Sequence, residues 1–186
     1  DINPQEFSTQ YKNNVTPVPD SFFDRKPNKE IQLTFLRDRN KYLDLFKWVN
    51  GEKVIGECST SYLYSSVAAK EIFDFDKSSK ILISLRNPIE RTYSHYLLAV
   101  RYGYTRLSFR KAIEKDMNQR IKGWGKSELF IELSQYYEQV KRYFEVFPKE
   151  QVKIIEFDRF KANTLETVND VCRFLEIESL DQIQDK

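Results

Sequence analysis

The stretch from Lys80 to Leu97 reads KILISLRNPIERTYSHYL and decides the fold. Its first part, KILISL, is a compact apolar run with β-branched side chains, which is typical of a strand buried on both faces. Asn87 and Pro88 follow closely, and these residue types favour the N-cap and the first position of a helix. Glu90, at the third helical position, completes a capping box. The stretch therefore predicts a strand that runs directly into a sharply started helix.

A ligand site is expected at this junction, because α/β folds bind ligands at the carboxyl ends of their strands. A helix N-terminus carries roughly half a positive charge and directs unpaired N–H groups outward. Arg86, beside it, is well placed to hold a dianion such as a phosphate, and Ser94 further along the helix adds a hydroxyl. Capping alone favours the simpler interpretation of a well-capped helix with a surface arginine, so the rest of the sequence has to decide.

The pattern on either side of this junction alternates between strands and helices. Apolar residues at helical or strand spacing, together with Asn-Gly and Pro breakers, mark the elements. This alternation predicts an α/β fold of three layers, with a mostly parallel sheet flanked by helices. The predicted helices cover residues 42–48, 66–75, 108–119, 128–147 and 164–175, and the predicted strands cover residues 53–57, 80–85 and 151–157.

Composition excludes several classes of function. Thirty basic and 28 acidic side chains leave a net charge of +2, which gives no whole-molecule attraction to nucleic acid or to an anionic membrane. Cys58 and Cys172 lie far apart without metal-ligand spacing, so we expect no structural metal and no disulfide framework, and Cys172 is most simply a core residue. Neither a membrane span nor a signal peptide is visible. A cytoplasmic protein is the expectation.

The string RNPIERTYSHY, residues 86–96, resembles the element with which sulfotransferases grip the 3'-phosphate of 3'-phosphoadenosine 5'-phosphosulfate. In that family the arginine before Asn-Pro and a serine further along the helix make the contacts. The resemblance implies that Arg86 and Ser94 bind this donor here. It also implies a fold like that of the P-loop nucleotide kinases.

Further stretches resemble the family in the same order along the chain. Residues 29–35 (KEIQLTF) resemble the stretch in glycan and bacterial sulfotransferases where a glutamate serves as catalytic base, which maps onto Glu30. Residues 56–63 (GECSTSYL) resemble the strand and Ser-x-Ser-Tyr loop beside the sulfuryl donor, which makes Tyr62 a candidate for the substrate pocket. Cys58 departs from the pattern, because some members carry there a lysine that assists catalysis.

Two family elements have no counterpart in the sequence. These are the Pro-Lys-x-Gly-Thr-Thr phosphate loop, expected before Asp1, and the C-terminal loop that covers the donor. Residues 125–127 (GKS) lack both the P-loop spacing and a preceding strand. We therefore expect a single domain over residues 1–186 that is incomplete at both ends, with an irregular segment at 1–28 and the family core at 29–186.

Other side chains are weaker candidates. His95, the lone histidine, titrates near neutrality in its unperturbed state and is a candidate acid or base in the substrate pocket. Tyr136, with Trp124 and Tyr137, is a candidate lining of an acceptor pocket, although core packing explains these aromatics equally well. No cluster of side chains has the spacing of a metal site.

The resemblance implies an enzyme. It would move a sulfuryl group from 3'-phosphoadenosine 5'-phosphosulfate to a hydroxyl or amine of a carbohydrate or small molecule, and release 3'-phosphoadenosine 5'-phosphate without a metal. The alternative left open is a non-catalytic module that keeps the fold and binds an anion or nucleotide. A nucleotide kinase is disfavoured, because neither a P-loop nor an acidic metal-binding partner is visible.

Overall fold

The structure is a computed structural model that describes residues 22, 24, 36 and 38–183. Glu30 lies outside these residues. The chain divides into two compact units. The larger unit holds residues 56–119 and 129–183, and the smaller unit holds residues 38–55 and 120–128. That the chain forms one domain over 1–186 stays a prediction.

The described part of the chain is mainly helical, with two short strands. Of the helices that the structure describes, none has both the length and the apolar character needed to cross a bilayer. In chain order the helices are α1 (Arg39–Asp44), α2 (Ala68–Phe75), α3 (Pro88–Arg101), α4 (Phe109–Met117), α5 (Tyr136–Val146), α6 (Phe157–Ala162) and α7 (Thr164–Leu175), and the strands are β1 (Ile81–Leu85) and β2 (Val152–Glu156).

The two strands pair in parallel at the centre of the larger unit. Their register places Ile81 opposite Val152 and Leu85 opposite Glu156, so both strands end at the same edge of the sheet. The chain between them passes through α3, α4 and α5, which is the long crossover that a parallel pair requires. The predicted α/β fold with a parallel sheet flanked by helices is confirmed.

Two apolar clusters hold the larger unit together. The first joins the sheet to α2 and α5, and its aromatic centre is an edge-to-face contact between Phe73 and Phe147 with ring centroids 5.3 Å apart. The second joins α3 and α4 to the chain that precedes α5. The buried members of the first cluster are Ala69, Ile83, Tyr143, Phe147 and Val152, and those of the second are Ala99, Ala112 and Phe130.

The helix predicted over residues 128–147 is wrong in its first part. Leu129 has a φ of 54°, a left-handed conformation that cannot continue a right-handed helix. The buried carboxylate of Asp116 stabilises it by accepting hydrogen bonds from the N–H groups of Leu129 (3.1 Å) and Phe130 (3.0 Å). A 3₁₀ turn at Glu132–Ser134 follows, and α5 begins only at Tyr136.

The strand predicted over residues 53–57 is also wrong. These residues have no regular secondary structure, and Val54 and Ile55 are both exposed. An extended segment becomes a strand only when a neighbour accepts and donates its backbone hydrogen bonds. In the described part of the chain the sheet consists of β1 and β2, and neither pairs with this segment.

The smaller unit contains α1, which begins three residues before its predicted start at Tyr42. The carboxylate of Asp38 caps it by accepting from the N–H groups of Asn40 (2.8 Å) and Lys41 (3.0 Å). Gly51, at the predicted stop, has a φ of 84°, which suits glycine at a turn after a helix.

The Gly-Lys-Ser string also lies in the smaller unit and forms a closed turn. The backbone N–H groups of Lys126 and Ser127 both donate to the carbonyl of Gly123, at 3.0 and 3.1 Å. A phosphate loop needs such N–H groups directed at its ligand. The N–H groups of Lys126 and Ser127 are already bonded within the turn, so they are not directed at a ligand.

Candidate active site

The junction between β1 and α3 has the capped geometry that the sequence predicts. Asn87 is the N-cap, and its side-chain Oδ1 accepts from the N–H groups of Ile89 (3.0 Å) and Glu90 (3.3 Å). Pro88 occupies the first helical position, where its missing N–H costs nothing. Because Arg91 N–H donates to the Asn87 carbonyl, the N–H groups at the start of α3 are already satisfied.

This last point corrects the expectation of unpaired N–H groups at the α3 N-terminus. An anion here would still feel the partial positive charge of the helix end. The N–H groups of Ile89, Glu90 and Arg91, however, are already used within the cap. This gives the Arg86 side chain more weight in the predicted anion site than the sequence suggested.

Arg86 leaves the carboxyl end of β1 with its guanidinium already oriented. Both Nε (3.1 Å) and Nη2 (3.0 Å) donate to Oε2 of Glu90, and the Phe157 ring lies under the guanidinium with its centroid 5.4 Å away. The predicted capping box is therefore only half present. Asn87 caps the helix, but the Glu90 carboxylate accepts from Arg86 and not from the backbone N–H of Asn87. Of the described residues, none hydrogen-bonds to Nη1.

Ser94 lies on the same row of the helix surface as Glu90. Residues four apart on a helix are surface neighbours, so Glu90 and Ser94 lie next to each other on α3. Ser94 is exposed. Arg86 precedes the helix and reaches Glu90 through their ion pair, so Glu90 neighbours both predicted donor-binding residues.

Tyr136, at the start of α5, lies close to the same guanidinium. Burial raises the pKa of its phenol, while the positive charge of Arg91, together with the backbone N–H and charge of Arg86, opposes that shift. The phenol therefore stays protonated near neutral pH.

An open cleft of about 440 Å³ lies beside Arg86, at the carboxyl end of β1. Its walls are mainly apolar and aromatic, which is the usual character of small-molecule sites. Core packing does not explain Tyr137, whose surface is 74% exposed. The lining residues are Leu85, Tyr136, Tyr137, Val140, Lys141 and Phe144.

Arg91 and Thr92 tie α3 to the turn before α5. Arg91 donates to the hydroxyl of Ser134 and to the carbonyl of Phe130, and the Thr92 hydroxyl lies 2.8 Å from that of Ser134. Burial lowers the pKa of Arg91. These contacts give both residues a role in fixing the position of α3.

His95 packs inside the larger unit, with its ring 5.0 Å from that of Phe130. Its Nδ1 is buried and has no hydrogen-bond partner among the residues that the structure describes. Burial, assisted by the charge of Arg91, lowers the pKa of His95 to about 4. The imidazole is therefore neutral at pH 7, and its role as an acid or base stays a prediction.

Replacing His95 by phenylalanine should flatten the acid side of the stability profile. The folded-state pKa lies below the unfolded value of about 6.5, so between these two values the unfolded chain binds more protons and stability falls as pH falls. The loss from pH 6.5 to 4 is on the order of 3 kcal/mol at most. Urea unfolding of both proteins at several pH values measures it, and parallel profiles would contradict the assignment.

The loop that contains Tyr62 is held by α5. The hydroxyl of Tyr143 donates to the carbonyl of Tyr62 (3.0 Å), and Nη2 of Arg142 donates to the carbonyls of Leu63 and Tyr64 (both 3.2 Å). Burial raises the pKa of Tyr143 to about 12, so its proton remains available for this bond. One helix thus contributes Tyr136 beside Arg86 and also anchors the Tyr62 loop.

Sequence reasoning missed Phe157, Arg142 and Tyr143. Phe157 is the first residue after β2, and the parallel register brings it beside the residue after β1, which is Arg86. The position of Phe157 beside Arg86 was predictable by pairing the two predicted strands in parallel. The bonds from α5 to the loop had no local signal, because 78 to 81 residues separate the partners.

The described residues contain no group of three or more His, Cys, Asp or Glu side chains able to hold a metal ion. Cys58 is exposed and unpaired, and Cys172 is buried as predicted.

Comparisons with known proteins identify the family. The family model described as the sulfotransferase domain matches residues 20–186. Among solved structures, a sulfotransferase from Alicyclobacillus acidocaldarius is 34% identical, with a TM-score of 0.75 over 92% of this chain and 73% of that one. None of the curated proteins compared matches significantly. The chain therefore belongs to the sulfotransferase family and is a transferase.

Proposed function

We propose that this chain transfers a sulfuryl group from 3'-phosphoadenosine 5'-phosphosulfate to a hydroxyl or amine of a carbohydrate or small molecule. The observation that carries the proposal is Arg86, which stands at the carboxyl end of β1 with its guanidinium oriented by Glu90 and Phe157. A planar guanidinium held in this way is suited to a phosphate group. Arg86 is thus the proposed anchor for the 3'-phosphate of the donor.

Ser94 supports the same assignment. The residue is exposed and lies one helical turn beyond Glu90, the partner of Arg86, so the site offers a phosphate a charged donor and a neutral one. The positive end of α3 adds a favourable potential for a dianion. The residues present therefore fit the 3'-phosphate end of the donor.

The acceptor is proposed to bind near Tyr136 and Tyr62. Tyr136 lines the aromatic cleft beside Arg86, and rings of this kind offer flat apolar faces to a small molecule or sugar. Tyr62 lies on the loop that Arg142 and Tyr143 hold in place. Sulfuryl transfer, like phosphoryl transfer, depends on holding the acceptor and the donor in line. A rigid pocket therefore contributes more to the rate than covalent chemistry by the protein.

Glu30 is the proposed general base that takes the proton of the acceptor. This assignment rests on the resemblance of the surrounding KEIQLTF string, and Glu30 lies outside the described residues. A carboxylate within hydrogen-bond reach of the acceptor hydroxyl would suit that step.

Calorimetric titration with 3',5'-ADP, 5'-ADP and ATP with magnesium tests the donor assignment. We expect 3',5'-ADP to bind at least about tenfold more tightly than 5'-ADP, because one charge-assisted hydrogen bond to the 3'-phosphate is worth roughly 1.5 kcal/mol or more. Equal affinities for these two ligands would reject Arg86 as a reader of the 3'-phosphate. A clear preference for ATP with magnesium would favour a kinase instead.

A further inference from the structure

We propose that Glu90 is a positioning residue that orients Arg86 and at the same time weakens the hold of the site on its dianionic ligand. The inference rests on the proposed function, since it assumes that Arg86 binds the 3'-phosphate. It adds a regulatory element to that site: a fixed negative charge that limits how tightly the product, 3',5'-ADP, is retained.

The geometry of the ion pair is the first observation. A single oxygen of Glu90, Oε2, accepts from both Nε and Nη2 of Arg86, at 3.1 and 3.0 Å. The pair bridges the start of α3 with a four-residue spacing, and the side chains of Arg86 and Glu90 are 33% and 52% exposed. The carboxylate thus occupies the edge of the guanidinium that Nε and Nη2 form.

The position of Glu90 between Arg86 and Ser94 is the second observation. Arg86, which precedes α3, pairs with Glu90, and Ser94 lies one helical turn beyond Glu90. A phosphate that contacts Arg86 and Ser94 together must therefore lie close to the Glu90 carboxylate. Two like charges brought this close raise the free energy of the bound state.

The same carboxylate is also useful to the site. Arginine has several rotatable bonds, and ordering it at the moment of binding would cost affinity. Glu90 and Phe157 order the guanidinium beforehand. Glu90 therefore has two opposed effects, and glutamine separates them because it accepts a hydrogen bond without carrying the charge.

Glu90→Gln should tighten the binding of 3',5'-ADP roughly five- to tenfold at about 50 mM NaCl, as expected for removing a negative charge several ångströms from a dianion. At about 500 mM NaCl the gain should shrink, because salt screens exposed charges. Glu90→Ala should gain less than Glu90→Gln, since alanine removes the acceptor that orients Arg86. Calorimetry gives each dissociation constant.

Helix α4 offers a matched control. Arg110 and Glu114 form an exposed ion pair with the same four-residue spacing, at 2.8 Å. Glu114→Gln removes the same charge away from the proposed site and should leave the affinity unchanged. Equal tightening in Glu114→Gln, or no tightening in Glu90→Gln, would overturn the electrostatic part of the proposal. Equal gains in Glu90→Gln and Glu90→Ala would overturn the orienting part.

Failure of this inference is distinguishable from failure of the proposed function. If Arg86→Ala leaves the dissociation constant of 3',5'-ADP unchanged, then Arg86 does not bind the ligand and the proposed function fails with it. If Arg86→Ala weakens binding while Glu90→Gln does not strengthen it, the donor site stands and the role of Glu90 alone is rejected.

Discussion

Alanine in place of Arg86 is expected to raise the dissociation constant of 3',5'-ADP by about two orders of magnitude. Charge-assisted hydrogen bonds are each worth roughly 1.5–3 kcal/mol when the partner is a charged group. The variant also leaves the Glu90 carboxylate without its counter-ion beside the phosphate, which adds repulsion. Calorimetric titration of the wild type and Arg86→Ala measures the change.

The fold should survive this substitution. Arg86 contributes a partly exposed ion pair with Glu90 and a contact with the Phe157 ring, and interactions of these kinds are worth about 1 kcal/mol or less each. Arg110→Ala, in the matched pair on α4, should show a similarly small change in melting temperature and no change in affinity. An Arg86→Ala protein that melts normally and binds as tightly as wild type would reject the assignment.

Arg86→Lys tests which property of the arginine side chain is needed for binding. Lysine keeps the positive charge but lacks the planar fork that donates from Nε and Nη2 to one oxygen of Glu90. Its affinity for 3',5'-ADP should fall between those of the wild type and Arg86→Ala. The size of that gap separates the contribution of guanidinium geometry from that of charge alone.

The junction from β1 to α3 was predictable because its signals are local. A β-branched run, an Asn at the N-cap and a Pro at the first helical position each act within a few residues, and the structure has all three in place. The parallel partner β2 was equally readable as a short apolar run. Local propensity and the final fold agree here, as expected where a sequence specifies its structure well.

The two wrong predictions, the first part of the helix over residues 128–147 and the strand over residues 53–57, share a different cause. Helix formation at residue 129 is prevented by Asp116, a buried side chain 13 residues away that accepts the N–H group of Leu129. The segment 53–57 has strand-like residues but no pairing neighbour among β1 and β2. Both outcomes depend on tertiary contacts that no window of sequence contains.

The candidate site shows the same contrast between local signals and tertiary contacts. Arg86 and Ser94 follow from their position in the RNP string, whereas the electrostatics around them do not. The sequence predicts that Glu90 caps the helix, but Arg86 competes for its carboxylate and wins because a full charge is a stronger donor than a backbone N–H. His95 looks like an acid or base by residue type, yet burial against Phe130 lowers its pKa to about 4.

Glutamine in place of Glu30 is expected to lower kcat by a factor of about 10² to 10⁴, which is the usual contribution of a positioned general base. The affinity for 3',5'-ADP should stay unchanged, because the residues proposed to hold the donor are Arg86 and Ser94. Initial rates of sulfuryl transfer at saturating donor measure the first quantity and calorimetry the second. Glu114→Gln on α4, which removes the same charge elsewhere, should keep full turnover. Loss of proton transfer lowers kcat, whereas loss of donor contacts weakens binding, so the two measurements test different residues. A Glu30→Gln protein with full kcat would exclude Glu30 as the base, even if Arg86 and Ser94 proved to hold the 3'-phosphate.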